Sequence, residues 1–138
     1  MFGWMILIVV VTALAYVRLA PSDPARWHRG TGKPELGETL RKGSFTWREA
    51  VEGDGTARLE QVDRVILATP RTTRLTGSVQ EGQITYVTRS QVVGFPDYTT
   101  VGIYGDGSKY LEIFGRLRFG RSDLGVNAKR IKGWLAAL

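Results

Sequence analysis

The chain opens on a stretch with no polar rhythm at all, and its texture then changes twice. From Met1 to Val17 (MFGWMILIVVVTALAYV) no side chain is charged, and Arg18 ends the run. A helix through Leu19 would be roughly 28 Å long, close to the ~30 Å of a bilayer's hydrocarbon core. Trp4 near one end, with Tyr16 and Arg18 near the other, suits the two interfaces, where amphipathic rings and long cations settle. Ala13-Leu14-Ala15 has the small-residue spacing of a signal-peptide cleavage site. Secretory signals carry Lys or Arg ahead of the apolar run, however, and here neither is present. The pattern predicts a retained single-pass anchor over residues 1–20.

Pro21 to Gly43 is rich in Pro, Gly and charge and has little periodicity, which predicts a tether over residues 21–43. Ser44 to Val51 is open to two readings: Phe45 and Trp47 alternate like a strand, while Thr46 and Glu49 have capping-box spacing. Thr56 to Ala68 is helical, with Leu59, Val62, Val65 and Ile66 on one face and Glu60, Gln61, Asp63 and Arg64 opposite; Thr56 or Asp54 can cap it. Pro70 ends it. The chain then turns β-like. Strands are predicted over Thr72–Val79, Gln83–Val93, Tyr98–Tyr104 and Tyr110–Phe119, separated by Gln80-Glu81-Gly82, Gly94-Phe95-Pro96-Asp97 and Gly105-Asp106-Gly107. The last strand sorts Leu111, Ile113, Leu117 and Phe119 from Glu112, Arg116 and Arg118. A closing helix over Ala128–Leu138 places Ile131, Trp134, Leu135 and Leu138 on one stripe, with Asn127 as its cap. The expected fold is α+β: a transmembrane helix, then a small two-layer domain over residues 44–138, with a four-stranded antiparallel sheet and two helices on one face.

Composition narrows the chemistry. Across 138 residues there is no Cys and a single His, His28, so thiolate catalysis, disulfides and Cys-based zinc sites are excluded, and no metal site or cofactor is expected. The net charge of +6 favours anionic surroundings: lipid headgroups or an acidic partner rather than nucleic acid, since no aromatic-rich RNA motif is present. Arg18, Arg26, Arg29 and Lys33 follow the anchor, and the positive-inside rule taken alone would put the domain in the cytoplasm.

The tail Phe119-Gly120-Arg121-Ser122-Asp123-Leu124-Gly125-Val126-Asn127, followed by Arg130-Ile131, resembles the most distinctive stretch of an uncharacterised bacterial and plastid family known as domain of unknown function 1499. Gly94-Phe95-Pro96-Asp97 is similar to that family's break between middle strands. Phe114-Gly115 and Leu117 stand where members often carry Arg-Ser and Ser, and the Asn-Cys-type entry segment of many members is missing. The resemblance implies no reaction. Relatives with export signals or lipoprotein anchors tip the expected placement to the periplasmic side of the inner membrane.

Three groups of residues invite a role. Ser122 and Asp123 could be a nucleophile and its partner, but the one histidine is remote in sequence; with Gly120, Gly125 and Asn127 they are expected to shape the passage from strand to helix. Lys129, Arg130 and Lys132 at the start of the last helix could hold an anion such as a headgroup phosphate. Arg116 and Arg118, with Arg74, Tyr86, Tyr98, Tyr104 and Tyr110, would share an outward sheet face suited to a partner. The expected function is a non-catalytic membrane-anchored accessory module that docks on a membrane protein complex or anionic lipid. A carrier of a small lipid-like ligand and a hydrolase using Ser122 and Asp123 are the alternatives.

Overall fold

A computed structural model describes all of residues 1–138. Helix α1 (Phe2–Leu19) has no buried residue along its length and a mean hydropathy of 2.1; it is long and apolar enough to cross a membrane, and only its last turn touches the domain. A single-turn helix α2 (Pro24–Trp27) follows, started by the Asp23 carboxylate accepting from the Ala25 N–H. Then come β1 (Gly37–Arg41), β2 (Ser44–Ala50), α3 (Thr56–Leu67), β3 (Thr72–Ser78), β4 (Gln83–Arg89), β5 (Pro96–Tyr104), β6 (Tyr110–Leu117) and α4 (Val126–Ala136).

The sheet has six antiparallel strands in the order β1-β2-β6-β5-β4-β3, not the four expected. The four expected strands are all there, as β3 to β6. The two extra ones come from the segment left open and from the end of the expected tether. Ser44–Ala50 follows the alternation of Phe45 and Trp47 and pairs with β6, Trp47 opposite Ile113. Gly37–Arg41 is a short edge strand with charge at Glu38 and Arg41, a composition that hides it from pattern reading and blunts the open edge.

Helices α3 and α4 cover one face. Leu59, Val62 and Ile66 of α3 and Ile131 and Trp134 of α4 meet Phe45, Ile84, Tyr86, Val101, Leu111 and Ile113, all buried. Gly115 lets α4 approach closely, since a Cβ there would meet the Asn127 Oδ1 at 2.7 Å. Asp63 was expected on the solvent side of α3. It is buried instead, accepting from the Tyr86 hydroxyl at 2.6 Å and from Arg74 Nη2 at 2.8 Å. Tyr86 and Arg74 therefore belong to the helix-covered face and not to the outward one.

The opposite face is not open. Residues 20–35 lie across it as a strap, where the sequence predicts a free tether. Trp27 stacks on Tyr98 with ring centroids 4.0 Å apart, and the Ser22 hydroxyl meets the Tyr98 hydroxyl at 2.6 Å. His28 Nδ1 lies 2.9 Å from Thr85 Oγ1. Gly30 passes where a side chain would collide with the Tyr104 hydroxyl and the Glu112 carboxylate. These polar partners come from strands far along the chain, so nothing in the local composition announces them.

Candidate binding site at the basic end of the sheet

The two motifs singled out in the sequence meet in space. Asp97, at the start of β5, accepts from Arg130 Nη1 at 3.1 Å, and the same Nη1 reaches Asn127 Oδ1 at 3.1 Å. Asp123 accepts from the Gly125 N–H, the Asn127 N–H and Asn127 Nδ2, the last at 2.8 Å. Asp123 thus caps α4, whose N-cap residue is Gly125 in the left-handed region. Asn127, expected as the cap, is fully buried over Gly115. Burial pushes the Asp97 carboxyl up, against the pull of Arg130. The exposed Ser122 hydroxyl accepts from the Leu124 N–H. This knot pins a strand break to the start of the last helix.

The profile of a family described as protein of unknown function, DUF1499, matches residues 43–138. The chain belongs to this family. No curated protein matches it. The DUF1499 match takes in β2 to α4 and so both motifs of the knot; the strap and α1 lie upstream of it.

The DUF1499 sheet turns a charged surface towards that strap. Glu112 Oε1 accepts from the Thr31 N–H at 2.9 Å, and its Oε2 accepts from Arg48 Nε at 2.7 Å and from the Thr31 hydroxyl at 2.5 Å. Arg48 also donates to the Glu35 carbonyl and to Thr31 Oγ1. Arg116 donates to Thr100 Oγ1 and to the Trp27 carbonyl, with its guanidinium over the Phe114 ring; burial holds it down at about 10. Arg118 reaches the Pro21 carbonyl and the Tyr98 hydroxyl, both at 3.0 Å. Arg116 and Arg118 therefore hold the strap rather than face solvent. Arg130 is turned inward to Asp97, Lys132 stands 4.0 Å from Glu38, and Lys129 is exposed, so the structure does not draw these three around one point.

A different basic cluster forms where α1 meets the domain. The antiparallel registers put the β1–β2 turn, the 68–71 turn, the 90–95 loop and the 118–125 loop at one end of the sheet. That end carries Arg41, Lys42, Arg71, Arg89 and Arg121, while Glu52, Asp54, Glu81 and Asp106 lie in the turns of the other. Arg18, in the last turn of α1, donates to the carbonyls of Val93 at 2.9 Å and Val92 at 2.7 Å. Tyr16 packs edge-on against Phe119. Beside this junction a cleft of about 500 Å³ is lined by Arg18, Leu19, Arg71, Thr73, Val87, Arg89, Ser90, Gln91 and Gly94, with no carboxylate among them. Positions 18, 71 and 89 are too far apart in the chain to signal a cluster; only the pairing of β3 with β4 and the seating of α1 unite them. No group of three or more His, Asp or Glu side chains is gathered to hold a metal ion.

Proposed function

We propose that this protein is a single-pass, non-catalytic membrane module, anchored by α1 in the bacterial inner membrane, whose basic end lies on an anionic lipid surface. The observation that carries the reading is that the apolar helix leaves the domain from its cationic end. Anionic headgroups attract cations placed within a Debye length of the surface, each worth about 1 kcal/mol. Val92 and Phe95 are exposed beside Arg18 and add apolar contact at the same level. The acidic far end is then left to meet a membrane protein complex, on the periplasmic side as the favoured placement. The capping duty of Asp123 and the single backbone contact of Ser122 support a structural role for the pair.

The test is fractionation followed by flotation. The chain should stay in membranes through alkaline carbonate. A version beginning at Tyr16 should float with phosphatidylglycerol vesicles and not with phosphatidylcholine vesicles. Release by carbonate ends the anchor reading, and equal flotation on both lipids ends the surface reading. Protease treatment of spheroplasts should digest the domain if it is periplasmic.

One feature favours the ligand-carrier reading as a second. The space between sheet and helices is filled by the packed core, but a cleft of about 530 Å³ opens on the strap side over Thr39, Ser44, Thr46 and Phe114, with Lys33 and Arg41 at its rim. Its polar lining suits a headgroup better than an acyl chain. Mass spectrometry of detergent-extracted protein should then find a stoichiometric lipid.

A further inference from the structure

We infer that the cleft formed by Arg18, Arg71 and Arg89 is a binding site for a phosphate group, either the headgroup phosphate of a lipid or a free phosphate. This deepens the membrane reading, and rests on it for the lipid source only. The argument begins with charge. None of the three guanidiniums makes an ion pair, and no carboxylate lines the cleft to offset their charge. Like charges gathered in one cleft repel unless an anion joins them, and a planar fork matches phosphate oxygens two at a time.

The three are also held in place before any ligand arrives. Arg18 is fixed by the Val92 and Val93 carbonyls, and Arg89 Nη1 by the Gly94 carbonyl at 3.0 Å. Arg71 Nε donates to the Arg89 carbonyl, while the Arg89 N–H donates to the Arg71 carbonyl, both at 3.0 Å. Arg71 is a non-glycine residue at φ +56°, a region side chains rarely adopt, and this reciprocal pair holds it there. Each side chain thus commits part of its donor set to backbone and keeps the rest. Ser90 Oγ accepts from the Gly94 and Phe95 N–H groups and retains its own proton to donate. A cleft of about 500 Å³ exceeds a bare phosphate and leaves room for the alcohol it esterifies.

The full chain in dodecyl maltoside, a detergent without phosphate, provides the test. Arginine Nε–H resonances are followed while inorganic phosphate, dihexanoyl-phosphatidylglycerol or sodium chloride is added at matched ionic strength. Saturable shifts of Arg71 and Arg89 with both phosphate probes mark recognition of the phosphate group itself. Saturation with the lipid alone marks a headgroup site, and with inorganic phosphate alone a free-phosphate site; each supports the proposal. Shifts no larger than those from chloride overturn it. Arg71→Gln and Arg89→Gln should each weaken binding at least about tenfold, the loss of one charge-assisted contact. Arg121→Gln, on the same end but outside the cleft, should change it less than about twofold. If a Gln variant does not fold, Arg71→Lys keeps the charge, loses the fork and should still weaken binding; unchanged affinity in it overturns the assignment. Carbonate release of the chain from membranes would end the anchor reading while leaving phosphate binding in micelles intact, so the two fail separately.

Discussion

Against α3 and α4 the sheet presents Ile84, Val101, Leu111 and Ile113, whereas the same strands turn Thr85, Thr100, Glu112 and Arg116 towards the strap. Both faces are buried, but by different means. The helix face is closed by apolar area, which is indifferent to small shifts of its neighbours. The strap face is closed by directional pairs around Glu112 and Arg116, which hold only in one arrangement and leave a buried charge if one member goes. A surface of the first kind comes apart with the whole fold; one of the second kind can open by itself.

The largest effect should come from the helix face. Trp134, buried and donating from Nε1 to Thr69 Oγ1, should cost ~3–5 kcal/mol on replacement by Ala, read as a fall in melting temperature of the whole domain. Next comes Glu112→Gln, which leaves Arg48 without its counter-charge at a local cost of about 3 kcal/mol. Release of the strap should absorb that cost: amides of residues 24–35 exchange faster and trypsin cuts after Arg26 or Arg29, while the sheet core keeps its protection. Equal loosening of sheet and strap would erase the distinction between the faces. The pair Arg48→Met with Glu112→Leu removes the unpaired charge but also the bonds to Thr31 and Glu35, so the strap should stay open while the sheet keeps its protection.

Alkaline pH loads both faces at once. Burial and the neighbouring Asp63 hold the Tyr86 phenol far above its ordinary value, and burial with Glu112 does the same for Tyr104. In the unfolded chain both ionise near pH ~10, so their contribution is complete below that pH and is lost as pH rises beyond it. By pH 11 the loss should be about 1.4 kcal/mol per tyrosine, and Tyr86→Phe should flatten its share of the slope in melts taken from pH 8 to 11. Smaller still, Asp123→Ala should cost ~1 kcal/mol through the lost cap of α4. Ser122→Ala should stay within ~0.5 kcal/mol of the parent in the same melts; a much larger loss would mean the hydroxyl holds more than the Leu124 N–H.

The difference between the faces also explains what could be read from the sequence. Helical spacing found α3 and α4 and their buried residues, because Leu59, Val62, Ile66, Ile131 and Trp134 recur at intervals the helix imposes. The meander β3 to β6 was legible for the same reason, its turns being marked by glycine. The strap escapes such reading because its partners are polar and lie as many as 97 residues away, as Arg118 does from Pro21. The sequence pattern does not tell which face Tyr86 takes, because both faces of β4 are buried and its alternation does not distinguish them. The register slip between Arg74 and Thr76 hid the inward turn of Arg74 in the same way. Of the candidate site, the knot of Asp97, Asp123, Asn127 and Arg130 was visible as motif residues, though not as one cluster. The arginine cleft was not visible at all.

The seating of residues 20–35 also sets how far the domain can travel. A flexible linker of the length expected for residues 21–43 would let it wander roughly 25 Å from the end of α1. Instead only residues 20–23 separate α1 from α2, and Arg18 is bonded back to the 92–93 loop. With α1 seated in a bilayer as proposed, the domain keeps one height and one orientation. It then searches a flat layer for partners rather than a hemisphere, which raises its local concentration towards proteins embedded beside it and denies it those farther out. Lifting the strap would lengthen that reach without breaking any bond in the sheet.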